Sequence, residues 1–236
     1  MSFEAVAIIT AVIVALVSYL IGSVSFSIIF TRAYINKDIR QFGSGNAGLT
    51  NVLRSVGAMP GVLTFIGDFS KGILCTMLGY LVFKNLTVID ATYLIDPIYG
   101  KFIGGFFSFA GHLYPLYYGF KGGKGVLISA GIMLMLDLNT FLIVIGLFLL
   151  VFLLTRIISI GSIAAAASFP IVLFLTYSIR PEFIDQTSNA FFINQRMFET
   201  LFGVLFALII ITHKKSHPLI KRTLRCLVGQ APFGHS

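Results

Sequence analysis

Tryptophan is absent from this chain, cysteine occurs twice, and only nine of its 236 residues are acidic. Each shortage narrows the field. Without tryptophan, an aromatic belt at a membrane surface has to rest on the nine tyrosines. Cys75, in an apolar run, and Cys226, near the C-terminus, make neither a disulfide framework nor a metal site. Charged residues amount to 11% of the chain, against about 25% in soluble domains. There is no internal repeat and no stretch that reads as a soluble domain. The first apolar run is not expected to be a cleavable signal, since Glu4 stands in place of a basic region and the run is too long. What the chain has instead is 57% hydrophobic residues, 24 phenylalanines among them, and a mean hydropathy of +0.94. Its net charge of +8 must therefore sit in loops. Those loops form no single large soluble surface, which excludes nucleic acid as a partner and favours phosphorylated or anionic-lipid ones.

A membrane-spanning helix takes about 20 mostly apolar residues. Seven stretches qualify or nearly do: 5–31, 56–83, 101–118, the short 125–136, 138–155, 160–179 and 198–212. Asp68 and Lys71 interrupt the second, and Asp137-Leu138-Asn139 turns the fourth into the fifth. The fold expected is all-α: a polytopic membrane protein, one bundle of about seven transmembrane helices, making a single integral-membrane domain over residues 1–236. Orientation follows from the basic residues of the loops. Arg32, Lys37, Arg40, Arg54, Lys121, Lys124, Arg156, Lys214, Lys215, Lys221, Arg222 and Arg225 fall on one side, twelve of the seventeen lysines and arginines. Lys84, Lys101, Arg180 and Arg196 fall on the other, and Lys71 lies within a span. The first side is expected to be cytoplasmic, with the N-terminus outside and the C-terminus inside.

The polar, glycine-rich segments gather on that cytoplasmic side: "GSGNAGLTNVLRSVG" (43–57), "FKGGKG" (120–125), "TRIISIGS" (155–162) and "THKKSH" (212–217). The first contains G-x-G-x-x-G, but no βαβ unit surrounds it, so a dinucleotide fingerprint is excluded. Glycines let backbone N–H groups approach an anion, Ser44 and Asn46 add donors, and Arg54 offers a planar fork for phosphate. The plain alternative is a flexible loop with Arg54 anchoring the next helix. Lys121-Gly122-Gly123-Lys124-Gly125 has the same logic at a helix start, although it is no Walker A; a positively charged flank with a glycine turn is equally open. Asp68 and Lys71 share a helical face and read as a structural pair before a catalytic one. His112 reads as a buried or orienting histidine. Arg156, Ser159 and Ser162 mark a cytoplasmic turn whose serines are either caps or substrate donors. His213, beside Lys214 and Lys215, is the side chain best suited to move a proton near neutrality, with a plain interfacial histidine in a basic tail equally open, and no carboxylate or thiolate set accompanies it or His217 to hold a metal.

Together these segments resemble the bacterial acyl-phosphate:glycerol-3-phosphate acyltransferases, the PlsY family. The likeness rests on Ser44-Gly45-Asn46, Gly48, Thr50-Asn51 and Arg54. It continues through Asp68 with Lys71-Gly72, then Gly111-His112, Pro115 and Phe120 to Val126, then Arg156, Ser159 and Ser162. The resemblance implies transfer of a long acyl chain from acyl phosphate to the sn-1 hydroxyl of glycerol 3-phosphate, giving lysophosphatidic acid and phosphate, the first step of phospholipid synthesis. It implies a site on the cytoplasmic face of a bacterial cell membrane and needs neither cofactor nor metal. Ser44, Arg54 and Lys124 would hold phosphate groups, with Gly45, Asn46, Lys121, Arg156 and Ser162 lining the site and the Gly122-Gly123 turn receiving the acyl phosphate. His213 would be the essential histidine, and Ser44 a less favoured nucleophile. The pattern breaks after His213: Ser216 stands where the family has asparagine, and the usual acidic residue is missing.

Beyond its two substrates and the bilayer, other phospholipid-synthesis enzymes are candidate partners. The rival readings are a transporter for a phosphorylated solute, which would place repeats and polar groups at mid-membrane, and an inactive lipid-binding relative.

Overall fold

The computed structural model describes residues 3–89, 96–179 and 203–204. Among these residues every regular element is helical. The chain divides into two compact units, Met1–Phe141 and Leu142–Ser236. The first holds α1 (Phe3–Gly22), α2 (Phe26–Ile35), α3 (Leu49–Ser55), α4 (Ala58–Ile89), α5 (Ile98–Leu113) and α6 (Val126–Leu136). The boundary falls inside α7 (Leu138–Thr155), and α8 (Ile158–Ile179) belongs to the second unit.

Among the described residues, four helical stretches are long and apolar enough to cross a membrane: Ala5–Ile35, Ala58–Leu86, Leu138–Thr155 and Ile158–Thr176. Their outer faces carry large apolar side chains, Ile8, Leu16 and Leu154 among them, as a surface solvated by lipid requires. α4 is the hub of the first unit and packs against α1, α2, α3, α5 and α6. Small residues make these contacts close. A Cβ on Gly79 would strike the backbone of Gly100 on α5, and one on Gly72 would strike the backbone of Ile128 on α6. Without a hydrophobic drive between helices in lipid, such backbone-to-backbone packing is what holds them together.

The helices depart from the expected layout at the following points, besides α4 continuing past residue 83 to Ile89. The first run is two helices, broken at Ser23-Val24-Ser25. The third ends at Leu113 rather than at 118, because Pro115 cannot continue the hydrogen-bond ladder and forces Tyr114 out of helical geometry (φ −123°, ψ 66°); residues Leu116–Tyr118 form a 3₁₀ turn instead. The "GSGNAGLTNVLRSVG" segment is not all loop, since α3 occupies its second half. Asp137 starts α7 by accepting hydrogen bonds from the Thr140 backbone N–H at 2.8 Å and hydroxyl at 2.7 Å. The seventh run, 198–212, lies outside the described residues save for 203–204.

Candidate active site

The first glycine-rich segment is organised by one buried side chain. Asn51, on α3 and 4% exposed, holds its amide nitrogen 3.2 Å from the Ile39 carbonyl and 3.0 Å from those of Phe42 and Asn46. Its amide oxygen accepts from the Ser44 backbone N–H at 3.2 Å and from the Ser55 hydroxyl at 3.4 Å. Beneath it Ile28, Ile39, Ala47 and Val52 form a small apolar core. The loop is therefore pinned to α3 along residues 39–46. Ser44 and Gly45 lie exposed on its outer side, Asn46 is partly buried, and Arg54 is exposed on the last turn of α3.

The second segment, 119–125, is folded back on the end of α5. Gly122 N–H donates to the Leu113 carbonyl at 3.1 Å and Gly123 N–H to the His112 carbonyl at 3.2 Å. Both amides are thus engaged within the chain, and what the glycines supply here is close approach. A Cβ on Gly123 would run into the His112 ring on one side and the Ala47 carbonyl on the other. Gly123 is the point where the two segments touch. Gly125, at φ 78°, turns the chain into α6. Lys121 is exposed, while Lys124 is half-buried, and burial pushes its ammonium below the ordinary lysine range. A hollow of about 560 Å³ opens between the segments, lined by Arg40, Gly45, Tyr118, Gly119, Lys121 and Gly122.

A buried row of polar groups starts at His112. The His112 Nδ1 lies 3.7 Å from an Asp68 oxygen, and that oxygen lies 2.9 Å from the Lys71 ammonium. Lys71 also donates to the Val24 carbonyl at 2.6 Å. Lys71 on α4 thereby satisfies one of the backbone carbonyls at the break between α1 and α2. In the second unit, Arg156 is exposed in the turn between α7 and α8 with a left-handed backbone (φ 57°). Ser162 is buried there and donates to the Ile158 and Ser159 carbonyls at 3.0 and 3.1 Å. His213, Ser216 and His217 lie outside the described residues. Among the described residues no three of His, Cys, Asp and Glu converge as metal ligands would.

Three residues of this site were not singled out from sequence: Asn51 as an organiser, and Asp38 with Arg40. The Asp38 carboxylate accepts from the Arg40 Nε at 3.0 Å and from its terminal nitrogen at 2.8 Å, and these bonds hold its pKa down to about 2. A signal did exist, since Asp38 is the one acidic residue in the basic stretch from Arg32 to Gly57.

An all-helical membrane protein whose two glycine-rich segments meet beside lysine and arginine defines a class, that of integral-membrane enzymes acting on phosphate-bearing substrates. The family is more particular. The model described as "Glycerol-3-phosphate acyltransferase" matches residues 12–224, and the chain belongs to that family. The glycerol-3-phosphate acyltransferase of Chlorobium phaeobacteroides (strain BS1) is 43% identical over 164 residues, covering 70% of this chain and 69% of the relative. That of Chlorobium luteolum (strain DSM 273 / BCRC 81028 / 2530) is 34% identical over 239 residues, covering 96% and 99%. Among solved structures, the glycerol 3-phosphate form of PlsY, an integral membrane glycerol 3-phosphate acyltransferase, superposes with a TM-score of 0.69 at 28% identity, over 95% of this chain and 96% of that one. Its lysophosphatidic acid form gives 0.66, over 95% of each.

Proposed function

We propose that this chain acylates glycerol 3-phosphate at its sn-1 hydroxyl, releasing lysophosphatidic acid, and that the acyl donor is acyl phosphate. The observation that carries the reading is the meeting of both glycine-rich segments at one cation-lined hollow, in a chain that belongs to the glycerol-3-phosphate acyltransferase family. The chemistry suits such a site. The hydroxyl oxygen forms a bond to the acyl carbon, the bond from that carbon to the phosphate oxygen breaks, and inorganic phosphate leaves with the electron pair. The donor is already activated, so the protein's task is to align two anionic reactants and stabilise the developing oxyanion.

In this reading Ser44, Arg54 and Lys124 hold phosphate groups. Gly45, Asn46 and Lys121 shape the seat, the Gly122-Gly123 turn places the donor, and Arg156 and Ser162 are further substrate-binding residues. The hydroxyl proton passes to His213 or to a substrate phosphate. The chain works as one integral-membrane domain with about seven spans, N-terminus out, and the site faces the cytoplasm, where glycerol 3-phosphate is dissolved while the acyl chain stays in lipid.

The test is phosphate release from palmitoyl phosphate by purified protein, with and without glycerol 3-phosphate, beside Arg54→Ala and His213→Ala. Acceptor-dependent release with formation of lysophosphatidic acid, lost in both variants, is the expected result. Folded protein that makes no product from acyl phosphate or from acyl-coenzyme A overturns the reading.

A further inference from the structure

We infer that Arg40 is a positioning residue: its guanidinium clasps the 118–121 segment to the 38–46 loop and so sets the distance between the two phosphate-handling segments. The inference rests on the reaction proposed above. A guanidinium has five N–H donors in a fixed plane. In Arg40 the Nε and one terminal nitrogen grip the two Asp38 oxygens at 3.0 and 2.8 Å. The other terminal nitrogen donates to the Tyr118 carbonyl at 2.8 Å and the Lys121 carbonyl at 3.2 Å. Those bonds take up four of the five donors, so Arg40 is committed to the protein although it lines the hollow. Arg54, by contrast, is exposed and keeps its fork for a substrate anion.

The two carbonyls that Arg40 holds lie 78 and 81 residues away in the chain, and both belong to a stretch with little regular structure. Gly119 and Phe120 have left-handed backbones, and Lys121 is exposed. Asp38 fixes Arg40 in turn, because the same carboxylate accepts from the Arg40 backbone N–H at 3.0 Å and from Arg32 at 3.2 Å. The loop that carries Ser44 does not depend on this clasp, since Asn51 pins it independently. Loss of Arg40 should therefore loosen the donor side of the site, at the Gly122-Gly123 turn, and leave in place the Ser44 loop, which in this reading seats glycerol 3-phosphate.

The experiment measures both Michaelis constants in Arg40→Ala, Arg40→Lys and Asp38→Asn, with hydrogen–deuterium exchange of the same detergent-purified proteins. Arg40→Ala is expected to raise KM for palmitoyl phosphate about tenfold, the loss typical of charge-assisted hydrogen bonds, while KM for glycerol 3-phosphate stays within about twofold of the parent. Lysine is a point charge that cannot span a carboxylate and two carbonyls at once, so Arg40→Lys should fall between alanine and parent. Asp38→Asn should move in the same direction by less. A residue that merely stabilised the fold would lower the active fraction and leave both constants unchanged. In exchange, Arg40→Ala should lose protection at the Phe120 and Gly122 amides and retain it across α3. Equal changes in both constants, or unchanged exchange at residues 118–122, overturns the clasp. Exchange needs no substrate, so a parent protein without activity would sink the proposed reaction while the clasp is still decided by protection alone.

Discussion

Among the described residues, two carboxylates with their cations sit in opposite surroundings. Asp68 and Lys71 are 2.9 Å apart with both side chains 2% exposed, inside a helix apolar enough to span a membrane. Asp38 and Arg40 are 2.8 Å apart with side chains 12% and 26% exposed, in a loop. The buried pair has no water to fall back on, so each partner is indispensable to the other. The loop pair is partly screened, so its worth lies in what it orients rather than in what it stabilises. One pair holds a helix break and the other holds two loops together. Removing members of each should separate stability from catalysis.

The largest expected effect is on the buried pair. Lys71→Met strips Asp68 of its cation and leaves the Val24 carbonyl without its donor. Breaking a buried pair from one side costs about 3–5 kcal/mol, so the variant should melt far below the parent in detergent or fail to accumulate. The double variant Asp68→Leu/Lys71→Met removes the uncompensated charge and should recover part of the loss. If Lys71→Met melts with the parent, the pair does not hold the break.

Next comes the contact between the two segments. Gly123→Ala puts a methyl group between the His112 ring and the Ala47 carbonyl, and neither is the free end of a flexible chain. Overpacking of this kind costs about 1–3 kcal/mol. Because the strain is relieved by parting the segments, activity should fall further than the melting temperature suggests. Gly146→Ala, a site with open space around it, is the control. Equal activity in the two variants would show that the separation of the segments does not matter.

The helices were legible in the sequence because hydropathy is a local property, and α6, α7 and α8 begin and end close to the apolar runs, while α4 begins close to its run and continues six residues past it. Both glycine-rich segments were also legible, as two of four polar stretches grouped by composition. The break at Ser23-Val24-Ser25 was not, because serine and valine interrupt neither apolarity nor helix strongly. What stabilises the break is a lysine 47 residues away. Arg40 was hidden for the same reason, its acceptors being backbone carbonyls that carry no residue signature. Spacing likewise shows that Gly122 and Gly123 are free to bend, but not that their amides meet the Leu113 and His112 carbonyls.

The smallest effect concerns the loop pair and pH. Bonds from Arg40, then its charge and Arg32, hold the Asp38 pKa down to about 2 from an ordinary value of 3.8. A depressed carboxylate contributes stability that is complete above its unfolded pKa and is lost as pH falls through its folded one. The difference in melting temperature between the parent and Asp38→Asn should therefore be constant from about pH 7 to 5 and close between about pH 4 and 2. The pair is partly exposed, so the gap should also narrow in about 1 M salt, where charges beyond about 3 Å are screened. The buried pair predicts the opposite response to salt: the deficit of Lys71→Met should be the same at either ionic strength, because no counterion reaches Asp68. A salt-sensitive Lys71→Met deficit, or a gap for Asp38→Asn that persists at pH 2, would erase the contrast between the two sites. In that case the role of each charge would have to be sought in its hydrogen bonds alone.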